Sequence, residues 1–393
     1  MHLSQKQLFL QHVAQTSPAP LALEIVSAKG IYLNDISGKQ YIDLISGISV
    51  SNIGHCHPEV VEAIKKQAET YMHLMVYGEY VQSPQVALAK ALTDVLPANL
   101  NSVYFVNSGT EATEGALKLA KRYTSRSEII SFKNAYHGST HGALSVMGSE
   151  EFKTSFRPLL PDVRIIEFNK EEDLQHITAK TACVIIEPIQ GEAGIVAAKP
   201  SFLKRLRERC NETKTLLIVD EIQTGFGRTG ILFAFEQYNV IPDILLLAKG
   251  MGGGMPIGAF IASKEIMNSL THNPVLGHIT TFGGHPVCCA AALANLNFIV
   301  KNKLSQRAKE IESIIKQTIK HPKIKELRVT GSLAAIDFGD EALNMQTISK
   351  CIEAGIITDW FLFNTQSMRI APPLIITDKE LEKACKVITG CMG

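Results

Sequence analysis

Short apolar runs alternate with longer amphipathic stretches along most of this 393-residue chain. Segments near 103–106, 128–132, 163–168, 182–187, 215–220, 244–247 and 258–262 are rich in Val, Ile, Leu and Phe and read as buried strands. Segments 58–70, 83–96, 110–123 and 201–213 place apolar residues at helical spacing. Strands alternating with helices from about 58 to 265 predict an α/β architecture, a large doubly wound and mostly parallel sheet with helices on both faces. Residues 1–20 read as an amphipathic helix ended by Ser17-Pro18-Ala19-Pro20, and 21–50 as a small antiparallel sheet with turns at Lys29-Gly30 and Ser37-Gly38. A long helix is expected from about 286 to 319, with Ala290, Leu293, Leu296 and Ile299 on one stripe, followed by a smaller α+β segment.

Composition narrows the function classes. The 39 Lys and Arg nearly balance 38 Asp and Glu, so no basic field for nucleic acid is expected. The eight cysteines are scattered without paired metal-ligand spacing, which suggests reduced thiols in a cytoplasmic protein and no metal site. The first residues mix Gln, Lys and His with Leu and Val and lack a secretory apolar core, and no apolar run is long enough to span a bilayer. The expected organisation is 1–57 as the first part of a small domain, 58–285 as the large sheet domain, and 286–393 as the long helix plus the rest of the small domain.

Three strand ends bear the candidate chemistry. Ile244-Leu245-Leu246-Leu247-Ala248 runs into Lys249 and then the glycine-rich Gly250-Met251-Gly252-Gly253-Gly254. Leu216-Leu217-Ile218-Val219 ends in Asp220, and Val103-Tyr104-Phe105-Val106 runs into Asn107-Ser108-Gly109-Thr110. Open parallel sheets bind ligands beyond the carboxyl ends of their strands. There Ser108, Gly109 and Thr110 would offer helix N-terminal amides to a phosphate, Asp220 a carboxylate and Lys249 an amine that burial can deprotonate. That set fits pyridoxal phosphate, which needs a phosphate cradle, a partner for its ring nitrogen and a lysine for its aldehyde. Plainer readings stand beside each: a strand-end lysine reaching solvent, an Asp capping a turn, and Thr110 capping its helix with Thr113 or Glu114 in the first turn. The glycine run is not a dinucleotide fingerprint, because Met255 stands where the third glycine belongs and Pro256 follows.

Longer motifs add a resemblance. Asn107-Ser-Gly-Thr-Glu-Ala-Thr-Glu-Gly-Ala-Leu-Lys-Leu-Ala-Lys121, Ala135-Tyr-His-Gly138, Glu187-Pro-Ile-Gln-Gly-Glu-Ala-Gly194, Val219-Asp-Glu-Ile-Gln-Thr-Gly-Phe-Gly-Arg-Thr-Gly230, Leu247-Ala-Lys-Gly250 and Thr280-Thr-Phe-Gly-Gly284 occur in order. Together they resemble the class III pyridoxal-phosphate aminotransferases, the acetylornithine, ornithine and 4-aminobutyrate group. The resemblance implies a fold-type I homodimer with shared active sites and a Schiff base between pyridoxal 5'-phosphate and Lys249. It further implies Asp220 at the ring nitrogen, Gln223 near the phenolic oxygen, Tyr136 on the ring face and Ile222 beneath it. His137 and Glu187 fall in the cofactor-binding motifs, Gly109 and Thr110 bind phosphate, and Thr281 reaches in from the neighbouring subunit. Arg369 would take a substrate carboxylate in bidentate fashion, and Glu192 would pair with it when the donor offers none. The implied reaction is ping-pong transfer from an ω-amino donor to 2-oxoglutarate, giving glutamate.

Two departures bear on the donor. Ser139 stands where many members carry a second carboxylate-binding arginine, a loss worth on the order of 2–5 kcal/mol unless something replaces it. Either another base substitutes or the donor lacks that carboxylate, as a diamine does. Ile48 stands where the ornithine enzymes carry a tyrosine, and Tyr77 is a candidate for the donor pocket. An aminomutase or racemase on the same scaffold, or a diamine or lysine transaminase, is the alternative, since fold does not decide reaction.

Overall fold

The computed structural model describes residues 3–393; Met1 and His2, where the expected first helix begins, lie outside them. Strands β1 (Ser102–Val106), β2 (Glu128–Phe132), β3 (Val163–Ile166), β4 (Thr181–Ile186), β5 (Leu216–Asp220), β6 (Ile244–Leu247) and β7 (Gly258–Ala262) form one sheet in the order β1-β7-β6-β5-β4-β2-β3. Six strands run the same way and β7 runs against both β6 and β1. The link 248–257 is too short for the helical crossover a parallel return needs, so the chain comes back antiparallel.

Both faces of this sheet are covered, which explains why its strands read as continuous apolar runs. Val184, Ile186, Leu217, Val219, Leu245 and Leu247 enter one core, and their neighbours Cys183, Ile185, Leu216, Ile218, Ile244 and Leu246 enter the other. That split is the two-residue alternation of a strand. Helix α1 (Gly109–Thr124) lies on the second face through Ala112, Ala116, Leu117 and Ala120. A Cβ on Gly115 would sit 2.3 Å from the Phe260 ring of β7, so only glycine lets α1 approach this closely.

The expected helix from 286 to 319 is two helices, α2 (Pro286–Lys301) and α3 (Leu304–Thr318). The break is at Asn302-Lys303, where Lys303 takes a left-handed φ of 52° and lets α3 turn away. The N-terminal helix is shorter than expected, Gln5–His12, and buries none of its residues, so its apolar side chains do not define a packed face.

The two ends of the chain meet. Ile25–Lys29, Tyr32–Asp35 and Gln40–Asp43 form the antiparallel sheet foreseen near 21–50, and Ile356–Ile357 adds to it parallel to Gln40–Asp43. A further sheet contains β8 (Glu326–Thr330), β9 (Leu333–Asp337), β10 (Asp359–Phe361) and β11 (Asn364–Ile370) in the order β8-β9-β11-β10. Arg228, fully buried, ties the layers by donating to Asn52 Oδ1 and to the carbonyls of Ala371 and Pro372. Among the described residues no helix is long and apolar enough to cross a membrane.

Overpacking the α1–β7 contact is expected to be costly. Gly115→Val should destabilise the protein by about 1–3 kcal/mol, read as a lower urea midpoint with an unchanged m-value.

Candidate active site

Two cavities open beyond the carboxyl ends of β1, β5 and β6 and share Tyr136 and Lys249 in their linings. One, of about 480 Å3, is lined by Asn107, Ser108, Gly109, Thr110, His137, Ser139, Glu187, Asp220, Ile222 and Gln223. The other, of about 380 Å3, is lined by Ile48, Glu192, Asp359, Trp360, Leu362 and Arg369.

At the far end of the first cavity α1 begins at Gly109. Ser108, not Thr110, is its cap, accepting from Glu111 N, while Glu111 Oε2 accepts from Asn107 N at 2.7 Å and from its Nδ2 at 2.9 Å. The first-turn amides therefore face a cavity rather than a packed neighbour, and the dipole there favours an anion. A Cβ on Gly109 would lie 2.9 Å from Ile222 Cδ1, so the glycine permits Ile222 to reach under the cavity. Thr110 Oγ1 lies 2.7 Å from Thr140 Oγ1, and Glu114 Oε1 accepts from Gly142 N and Ala143 N, which pins the loop that carries Ser139.

The middle of the site is buried and polar. Asp220 Oδ1 accepts from Ile222 N at 2.9 Å, and its Oδ2 lies 2.7 Å from His137 Nδ1, which satisfies an acid otherwise expensive to bury. Glu187 Oε2 accepts from Tyr136 N at 3.0 Å and Oε1 from Gly191 N at 3.1 Å, fixing the Tyr136 backbone over the cavity. Two buried polar atoms, His137 Nε2 and Gln223 Nε2, have no hydrogen-bond partner within the chain. An unpartnered polar atom on a residue lining a cavity is a candidate contact for a bound ligand. With the amides of α1 at one end, Asp220 in the middle and Lys249 at the other, the donor set fits pyridoxal phosphate.

Lys249 is half-buried at the wall shared by the two cavities, and desolvation lowers its amine from the usual lysine range, against the pull of Glu192, which favours the charge. Its backbone φ of +43° is left-handed, a conformation that costs of order 1–3 kcal/mol and persists only where the surroundings enforce it. The amine is thus held at a set point and biased toward the neutral, nucleophilic form.

In the second cavity Arg369 donates through Nη1 to Glu192 Oε1 at 2.9 Å and through Nη2 to Glu192 Oε2 at 2.8 Å, a bidentate pair. Burial opposes ionisation of Glu192, but the guanidinium outweighs it and holds the acid below its usual range. Ile48 lines the same space from a left-handed turn, Ser46-Gly47-Ile48-Ser49, in which all four residues have φ between 51° and 64°. Asp43 Oδ1 secures that turn by accepting from Ile45 N and Ser46 N, and Ser46 Oγ donates to Ala371 O.

Two expected residues stand apart. Tyr77 and Thr281 touch each other, with their hydroxyl oxygens 3.4 Å apart, and neither lines the Lys249 cavities. Others went unforeseen, namely Val50 in the first cavity and Asp359, Trp360 and Leu362 in the second, together with Phe363, whose ring lies 6.4 Å from that of Tyr136. They come from segments with no motif of their own, and only the strand just before Arg369 hinted at them.

The chain matches the family described as Aminotransferase class-III over residues 13–392. It is 41% identical over 380 residues to the acetylornithine aminotransferase of Methanocaldococcus jannaschii, covering 92% of this chain and 91% of that one. It is 38% identical over 376 residues to that of Methanopyrus kandleri, covering 95% and 94%. Among solved structures, the ornithine aminotransferase of Toxoplasma gondii superposes with a TM-score of 0.91 at 32% identity, covering 99% of this chain and 95% of that one. An amine transaminase from an uncultivated Pseudomonas species, in its PLP-bound form, superposes at 0.88 and 26% identity over 97% and 98%.

Burial pushes the Glu187 carboxyl up to about 7. Folded protein then holds a proton that unfolded protein has released between the ordinary carboxylate range and about 7, so this group's contribution to stability falls as pH rises through that window. The difference in unfolding free energy between wild type and Glu187→Gln is therefore expected to shift toward the variant from about pH 4.5 to 7, measured by urea titration across pH.

Proposed function

Because the chain belongs to the class-III aminotransferases, whose cofactor is pyridoxal phosphate, we propose that it transfers an ω-amino group from an acetylornithine-, ornithine- or 4-aminobutyrate-like donor to 2-oxoglutarate by a ping-pong route. The observation that supports this most is the bidentate Glu192–Arg369 pair in a cavity that Lys249 also lines. A single arginine that exchanges an internal carboxylate for a substrate's lets two unlike substrates use one site in turn.

The cofactor, when bound, supplies an aldehyde that takes up the amino group and a ring that accepts the electrons released at the donor carbon. The α1 amides at Gly109 and Thr110 would hold its phosphate, and Asp220, steadied by His137, would keep its ring nitrogen protonated. Gln223, whose Nε2 has no partner within the chain, would face its phenolic oxygen, and Tyr136 and Ile222 would pack on its ring. Lys249 Nζ would remove the proton from the donor carbon bearing the amino group and return it two atoms along, to the carbon on the other side of that nitrogen. Its neutral form, which burial favours, is the one able to do so.

The protein acts as a homodimer, and Thr281 serves the neighbouring subunit's cofactor rather than its own. Its absence from the Lys249 cavity of its own chain supports this, as do the exposed Val275, Leu276, Ile279 and Phe282 around it, an apolar patch that a second copy would cover. A cytoplasmic setting accords with the eight free thiols, six of them buried.

A second reading, in which the donor is a diamine or lysine, is favoured at Ser139. Its Oγ lies 3.2 Å from Tyr136 OH, and among the described residues Lys249 and Arg369 are the only lysine or arginine side chains lining the two cavities. Nothing within the chain thus replaces the arginine missing at Ser139, and a donor with no carboxylate there needs none.

Holoenzyme titrated without keto acid against acetylornithine, ornithine, 4-aminobutyrate, lysine and putrescine is expected to lose the cofactor's aldehyde-state absorbance with one of them. Conversion by acetylornithine supports the first reading and conversion by putrescine or lysine the second; no conversion by any donor would overturn both. Lys249→Ala should abolish the response and lower turnover by more than about a thousandfold. Thr281→Ala should weaken cofactor affinity by about tenfold while sedimentation still reports a dimer.

A further inference from the structure

We propose that Asp359 is a specificity-determining residue, a second and fixed anion on Arg369 that weakens the arginine's hold on a substrate carboxylate. This rests on the reading of Arg369 as the carboxylate-binding group. Strands β10 and β11 pair antiparallel in a register that sets Asp359 directly opposite Arg369. Asp359 Oδ1 stands 3.0 Å from Arg369 Nε, yet neither atom has a hydrogen-bond partner of good geometry, so the contact is an ion pair rather than a directed bond. Glu192 meanwhile takes the Nη1 and Nη2 edge, the Trp360 carbonyl accepts from Nη2, and the Phe361 ring lies 4.6 Å from Cζ.

The two acids differ in how they are mounted. Glu192 lies in the loop between the short strands Ile189–Gln190 and Val196–Ala197. Its Oε2 also accepts from Leu362 N at 3.2 Å, so an arriving ligand carboxylate displaces that side chain from both the amide and the guanidinium. Asp359 belongs to the strand hydrogen-bonded to the arginine's own strand and stays. The ligand therefore meets a guanidinium whose charge is already opposed by a carboxylate a few ångströms away. One arginine and two acids at this end of the cavity, with Ser139 at the other, suit substrates whose far end is neutral or cationic better than dicarboxylates.

The charged groups facing Asp359 are Arg369 on β11, Glu192 on its loop, and Asp43, which is itself paired with His55, on the Gln40–Asp43 strand; Lys249 lines the same cavity. Burial pushes Asp359 up to about 6, partly offset by Arg369 and reinforced by Glu192. Lowering pH through that value removes the second anion, so dicarboxylate affinity should rise as pH falls.

Glutarate, a dicarboxylate with no carbonyl to react, reads this without turnover. By calorimetry on holoenzyme at about pH 8, Asp359→Asn should bind glutarate about tenfold tighter than wild type, and the two should converge to within about twofold near pH 5. The KM for 2-oxoglutarate should fall while kcat changes less than KM. Glutarate affinity that is unchanged or weaker in Asp359→Asn would overturn the proposal and leave Asp359 as a brace for the arginine. Arg369→Met separates the underlying reading: lost glutarate affinity upholds Arg369 as the carboxylate group, whereas retained affinity overturns both. Should Asp359→Asn not fold, wild type decides alone. After correction for glutarate's own ionisation, affinity rising below about pH 6 supports the proposal and affinity flat with pH overturns it.

Discussion

An amine half-buried at the end of a sheet strand is the constraint around which the rest of this structure is arranged. Left to itself, Lys249 would either reach water or remain protonated at a heavy desolvation cost. Here a left-handed backbone at Lys249 aims it inward, and burial lowers its affinity for a proton while Glu192 opposes that shift. Everything nearby must then be satisfied without water. Asp220 is met by His137 and Ile222 N, Glu187 by two backbone amides, and Glu192 by both terminal nitrogens of Arg369. Two polar atoms, His137 Nε2 and Gln223 Nε2, remain without a partner in the chain, on residues that line the larger cavity.

The same logic organises the support behind the site. The turn 46–49 that presents Ile48 is strained at Ser46, Ile48 and Ser49, and it persists because Asp43, Ser46 and the Ala371 carbonyl hold it from two sides. Those partners come from opposite ends of the chain, joined in one small sheet by Gln40–Asp43 and Ile356–Ile357. Arg369, two residues before Ala371, is thereby tied structurally to the N-terminal segment, although the two lie more than three hundred residues apart in sequence.

What could be read in advance follows from how local each signal is. The seven strands of the large sheet, Lys249, Asp220 and the start of α1 were legible because burial on both faces leaves unbroken apolar runs, and the polar residues at their ends stand out. The break between α2 and α3 was not legible: Asn302 and Lys303 suit a surface helix, and only the packing of α3 asks for a left-handed residue there. Ser108 in place of Thr110 as the cap is a smaller miss of the same kind, since two hydroxyl residues one position apart are equivalent until the backbone chooses one. Asp359 was missed for a deeper reason. Its importance lies in facing Arg369 across a strand pair whose register shifts at Trp360-Phe361, and a register involving an irregularity cannot be counted off a sequence.

By itself, then, the sequence determined the layered α/β class, the order of the motifs and the polar groups gathered at the strand ends, because each of these rests on periodicity or on contiguous residues. Tertiary structure alone decided the direction of β7, the separation of Thr281 and Tyr77 from the cavities of their own chain, and the second carboxylate on Arg369. Those depend on how distant segments pack and pair, and long-range pairing is settled by burial and backbone hydrogen bonding across the whole fold rather than by any residue's neighbours in the chain.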